Sequence, residues 1–144
     1  EQSVEWLRLY YGLCDLYYEW NHLEKASQYV QECLQTVEQK RLPPSWAVAG
    51  LVRLAWIRWA QANANAAQAI MQQAEVSAEQ TKESSLARYV QAQQARLWLR
   101  LGQWELAQRW AVDSWIYANG ENPAVVEVEK WYLEDLASLP AATR

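Results

Sequence analysis

Apolar residues in this chain fall into long stretches, each ended by a short polar or conformationally special turn. The first stretch is interrupted at Asn21 and His22. Leu42, Pro43, Pro44 and Ser45 make a sharp stop and a new start, because proline breaks a helix from within but suits its first turn. Ala62 to Asn65 is a weaker break, Ser84 and Ser85 offer capping hydroxyls, and Gly102 can end a helix in the left-handed conformation. Asn122-Pro123 is a cap followed by a first-turn proline, and Pro140 closes the last segment. These breaks predict seven helices, at roughly 3–20, 23–40, 44–61, 64–82, 85–101, 103–118 and 123–138. The joints are mostly so short that neighbours must run antiparallel. No strand pattern survives, so the expected fold class is all-α.

A repeat runs through the pattern. When "EWNHLEKASQYVQECL", "AQANANAAQAIMQQAE" and "RLGQWELAQRWAVDSW" are aligned, Ala26, Ala67 and Ala107 share one column, 41 and then 40 residues apart. Asn21, Ala62 and Gly102 occupy the turn, Leu23, Ala64 and Trp104 open the following helix, and Cys33, Ala74 and Ser114 are small. Two small residues seven apart on one helix let its partner approach closely. The expected unit is therefore a helical hairpin, at 3–40, 44–82 and 85–118, followed by a terminal helix at 123–138.

Composition supports long helices in one domain. The 144 residues include only four glycines and four prolines, 51% are apolar, and a chain of this length can bury about 70% of its unfolded surface. A net charge of -4 disfavours a surface built to neutralise phosphates, so no direct nucleic-acid contact is expected. The longest apolar run, Trp46 to Val52, stops at Arg53, far short of the roughly 20 residues that span a bilayer. No leader pattern opens the chain, which starts at Glu1 rather than methionine. The expectation is a cytoplasmic fragment of a longer protein, a single domain over 1–144, with no membrane contact. Cys14 and Cys33 lack metal-site or redox spacing and read as buried thiols, and His22 has no orienting partner that would make a nucleophilic pair with Cys14. The cluster Glu127, Glu129, Glu134 and Asp135 reads as a solvated face, so neither metal nor cofactor is expected in this fragment.

The hairpin pattern resembles the tetratricopeptide repeat, whose turn glycine and small residue stand where Gly102 and Ala107 stand here, although the usual period is 34 residues. The longer period is similar to the tetratricopeptide-like sensor region of MalT-like members of the LuxR family of bacterial transcription regulators. "LYYEWNHLEKASQYVQECLQ", "ARLWLRLGQWELAQRWA" and "EVEKWYLEDLAS" resemble that family's segments, in that order. The resemblance implies hairpins stacked as a right-handed superhelix. It also implies a longer chain in which this region lies between a nucleotide-binding switch and a helix-turn-helix, neither of which has a counterpart motif here.

In such a superhelix the first helix of each hairpin lines the concave face. The inward positions fall on Arg8, Tyr11, Asp15, Tyr18 and Glu19, then Trp56 and Trp59, then Tyr89, Arg96 and Arg100. A groove with aromatic plates and charged forks could hold a sugar or a peptide, though Arg96 can equally pair with Asp15 or Glu19 across it. The tryptophans at 98, 104, 110 and 115 flank Gly102 and are expected as knobs in the seam between helices. A core Trp104 would lose about 3–5 kcal/mol on truncation to alanine.

Expected first is a regulatory module whose repeat binds a small-molecule effector or an inhibitory protein and so controls activation. A free-standing adaptor that binds peptides is the alternative. An enzyme is disfavoured, because one histidine, no nucleophile-type serine turn and scattered carboxylates make no convergent site.

Overall fold

The computed structural model describes residues 2–118 and shows six helices: α1 (Gln2–Glu19), α2 (Leu23–Gln39), α3 (Pro44–Ala60), α4 (Ala64–Gln80), α5 (Ser84–Arg100) and α6 (Trp104–Ala118). Their ends agree with the expected ones to within two residues, and no strand occurs among the described residues. The seventh expected helix, at 123–138, and the acidic cluster within it lie outside the described residues.

The turns follow one rule. Asn21 (φ 61°), Arg41 (φ 51°), Ala62 (φ 63°), Lys82 (φ 61°) and Gly102 (φ 77°) each place a left-handed residue between consecutive helices. At four of them the chain closes on itself with paired backbone bonds that satisfy the helix's last carbonyls. The N–H of His22 donates to the Tyr17 carbonyl at 2.8 Å and that of Asn21 to Tyr18 at 3.0 Å. The same pairing links Leu42 to Val37 and Arg41 to Glu38, Asn63 to Arg58 and Ala62 to Trp59, and Gln103 to Trp98 and Gly102 to Leu99. The aligned turn column thus has its role at all three of its positions. Arg41 and Lys82, in the links between hairpins, play the same part without any glycine or asparagine to announce it. Proline at 44 opens α3 as its first residue, and the Asn63 side chain accepts from the Ala66 N–H at 3.1 Å to cap α4.

The chain forms two compact units, one ending at Val90 and the other beginning at Gln91, within α5. In the first, α1 contributes Leu7, Tyr11 and Cys14 to the core, α2 contributes Ala26, Val30, Cys33 and Val37, and α3 contributes Leu54 and Ile57. These spacings of three and four residues are one helical face each. Helix α3 packs on both α2 and α4, which is why Val48, Leu51, Val52 and Ala55 are buried beside Leu54 and Ile57 and why its sequence is apolar on more than one side. Ala67, Met71, Ala74 and Ala78 are the fully buried residues of α4. Gly50 lies beneath two side chains: a Cβ there would lie 2.7 Å from both Leu34 Cδ2 and the Tyr11 hydroxyl, so a larger residue would require those side chains to shift.

In the second unit, Ala95 and Leu99 of α5 meet Ala107 and Ala111 of α6, with Trp98 and Trp110 packed against them. The Trp110 Nε1 donates to Gln91 Oε1 at 3.4 Å. Trp104 corrects the expectation of a seam of tryptophans. It is 40% exposed, because as the first residue of α6 it stands at the edge of the hairpin, and its Nε1 reaches back to the Leu99 carbonyl at 3.3 Å. Its role is to satisfy the end of α5 as much as to fill space. The side chain of Trp115 lies outside the described residues.

Two consequences can be measured by denaturant unfolding. Ala62→Gly should stabilise the chain by about 0.5 kcal/mol, since relief of left-handed strain of about 1–2 kcal/mol outweighs the added freedom of the unfolded chain; a lower midpoint would contradict the strain. Trp104→Ala should cost about 1–2 kcal/mol, the worth of one hydrogen bond and a half-buried ring, rather than the loss expected of a core tryptophan.

Candidate functional site

The first helices of the first two hairpins meet in a polar cluster on an apolar floor. Tyr11 of α1 lies beneath it, 4% exposed, and its hydroxyl donates to the Trp46 carbonyl at 2.6 Å. The two rings stack at 6.4 Å and 13°. Over the Tyr11 ring lies Arg53 of α3, its Cζ 4.6 Å from the centroid. Arg53 donates through Nε to Asp15 Oδ1 at 2.9 Å and through Nη2 to Asp15 Oδ2 at 3.2 Å, while Nη1 donates to the Ala49 carbonyl at 3.1 Å. The guanidinium is thereby fixed in plane and position on three sides.

Electrostatics follows the geometry. Burial works against the charge of Arg53, but the hydrogen bond to Asp15 and its negative charge more than offset this and raise the pKa further. Burial, assisted by the nearby Cys33 thiol, holds the Tyr11 phenol protonated far above its ordinary range despite the opposing Arg53 charge. Tyr11 is therefore a structural donor rather than an acid. The Asp15 and Arg53 side chains remain 55% and 30% exposed, so the pair contributes only about 0.2–1 kcal/mol and can exchange partners cheaply.

Of the residues expected on this face, Asp15 is exposed and carries the ion pair, and its partner is Arg53 rather than Arg96. Arg8 is exposed, with its Cζ 6.0 Å from the Trp46 ring centroid, and Glu19 is exposed at the end of α1. Tyr18 is half-buried and packs on the core. Trp56 and Trp59, both half-buried, meet edge to face at 5.7 Å and 82°. Tyr89, at the start of α5, is 47% exposed and close enough to contribute to the electrostatic surroundings of Arg53. Tyr11 is the correction: expected to line a groove, it is a core residue, because Trp46 and Arg53 cover its ring and its hydroxyl is already engaged beside Gly50. Arg96 and Arg100 are half-buried and belong to the second unit. The repeat-packing alanines at 26, 67 and 107 are all fully buried, and Gly102 holds its left-handed turn.

Sequence reasoning missed Arg53, the residue that organises the cluster. A signal was present. Arg53 ends the longest apolar run, and it precedes Trp56, already assigned to this face, by three residues, about one helical turn.

Among the described residues no group of three or more His, Cys, Asp or Glu could hold a metal ion, and no helix is long and apolar enough to cross a membrane. The family model of the MalT-like TPR region matches residues 1–137. The chain belongs to this family. No curated protein and no solved structure matches it significantly. As a MalT-like TPR region it is an all-α helical repeat, and the repeat's wide spacing is met by helices of 15–18 residues.

Two buried thiols lie beside the cluster. Cys14 and Cys33 are both free, at 1% and 0% exposure. Burial pushes Cys14 up to about 11, with Asp15 adding to the rise and Arg53 opposing it. Burial pushes Cys33 up to about 12, with Cys14 adding. Folded pKa values above the unfolded value near 9 mean that the neutral thiols favour the fold fully below pH 9, and that this contribution is lost as pH rises toward 11 and 12. The denaturation midpoint should therefore fall above pH 9, and less steeply in Cys14→Ala; a thiol reagent at pH 8 should label the chain only as fast as it unfolds.

Proposed function

We propose that this MalT-like TPR region is the regulatory module of a LuxR-family transcription regulator and that it binds a small-molecule effector or a partner protein on the face shared by α1 and α3. The observation that carries the binding part is the exposed Asp15–Arg53 pair, fixed over Tyr11 and followed one helical turn along α3 by Trp56. A paired carboxylate and guanidinium in partial contact with water can each turn to a polar group of a ligand at small net cost. Half-buried indoles beside them supply apolar area without the penalty of exposing fresh core. The family assignment over residues 1–137 supports the regulatory part.

On this reading the chain acts by binding and not by catalysis. By the family resemblance, a nucleotide-binding switch and a helix-turn-helix act with it in the longer protein, and an occupied face biases the regulator between a resting and an active population. The net charge of -4 fits a module that leaves DNA contact to another domain.

The test is intrinsic tryptophan fluorescence of the chain, titrated with a panel of small sugars, amino acids and short acidic or basic peptides. A saturable change is expected for at least one class, lost in Trp56→Leu and weakened about tenfold or more in Arg53→Ala. A flat response across the panel from a folded sample would overturn the effector reading.

A further inference from the structure

We propose that the α1/α3 face selects an effector with an anionic head group, a phosphate ester or a carboxylate, on a small hydroxyl-bearing body, and that Arg8 binds the head group. This deepens the reading of that face as a binding surface and rests on it. Two cross-helix contacts bracket the site. At one end the Arg8 Cζ of α1 lies 6.0 Å from the Trp46 ring centroid of α3, and at the other Asp15 of α1 accepts both bonds from Arg53 of α3. Both contacts join residues 38 apart in the chain, so α1 and α3 run side by side in one direction. The two ends are seven residues, roughly 10 Å, apart.

The span between them carries no large side chain above its floor. On α1 the residue that shares a face with Arg8 and Asp15 is Gly12, and on α3 the residue that shares a face with Trp46 and Arg53 is Ala49. Tyr11 closes the floor, its ring stacked on Trp46 and its hydroxyl turned to the Trp46 carbonyl. The charges then decide the ligand. Arg53 is matched by Asp15, whereas Arg8 makes no ion pair or hydrogen bond among the described residues. Glu5 and Glu19 stand one turn outside either end, and between them Arg8, Arg53 and Asp15 leave one positive charge in excess on a chain whose net charge is -4. A guanidinium lying against an indole keeps its N–H fork free at the edge, the geometry that takes a phosphate or carboxylate in two parallel bonds. Asp15 and Arg53 supply an acceptor and donors for hydroxyl groups at the far end. A neutral sugar or a basic peptide would leave Arg8 without a partner.

The experiment is isothermal titration calorimetry of the full 144-residue chain with glucose 6-phosphate, glucuronate, glucose and inorganic phosphate. At least one of the first two should bind saturably and about tenfold or more tighter than glucose and than phosphate alone. Which of them binds tells a phosphate from a carboxylate head group. Arg8→Gln should weaken that binding about tenfold or more, and Arg8→Lys, which keeps the charge but loses the fork, should weaken it less. Gly12→Gln should weaken it about tenfold or more with an unfolding midpoint unchanged or raised. An added Cβ there meets nothing within 4 Å, and glutamine favours a helix over glycine. Glucose binding as tightly as either anion, or an affinity unchanged in Arg8→Gln or in folded Gly12→Gln, would overturn the anionic assignment. A response to neutral sugars or basic peptides that Trp56→Leu removes and Arg8→Gln does not would also overturn it, yet keep the α1/α3 face as a binding surface. A flat response to every compound overturns both.

Discussion

Two helices can lie close together only where at least one of them carries almost no side chain, and that constraint governs this molecule. Ala26, Ala67 and Ala107 are fully buried at the same place in successive hairpins, and a carbon added at Gly50 would meet the Leu34 and Tyr11 side chains at 2.7 Å. Close approach brings the flanking aliphatic residues into dense contact, which a thin repeat needs because it has no deep centre to fill. The left-handed turns serve the same end. Each reverses the chain within three or four residues and delivers the next helix at the spacing the small residues demand.

The polar cluster lies where α1 and α3 meet at the edge of the apolar stack. Helix α3 reaches α1 through long side chains, so Arg53 can lie across the Tyr11 ring and still reach both oxygens of Asp15. Arg58 similarly ties α3 to the buried Ser27 of α2 and to Gln61 at the helix end. Charged groups are thus confined to the margins of an apolar stack, where water can share their solvation. On the proposed reading, the chemistry offered is recognition: a planar cation, a carboxylate and aromatic edges, held in place with enough exposure to change partners.

The repeat gives α1 a double character. One side joins α2 and α3 in the core through Leu7, Tyr11 and Cys14, and another leaves Leu9 and Leu16 exposed.

The sequence by itself determined the helices, their order and the hairpin unit. Proline at a helix start, asparagine and glycine at turns, and alanine at a fixed period act locally or within one hairpin, so they are legible without coordinates. It also singled out Asp15, Trp56, Trp59 and Tyr89, since position on a helical face follows from spacing alone. Only the tertiary structure decided which of these residues face water. Tyr11 and Asp15 stand four apart on neighbouring positions of one helix, yet α3 buries the first and leaves the second open. Arg53 became central only when α1 and α3 were brought together, and Trp104 proved an edge residue because burial depends on what lies across from a side chain. Spacing fixes direction along a helix; the distance to the next helix fixes whether a side chain is core, bridge or surface.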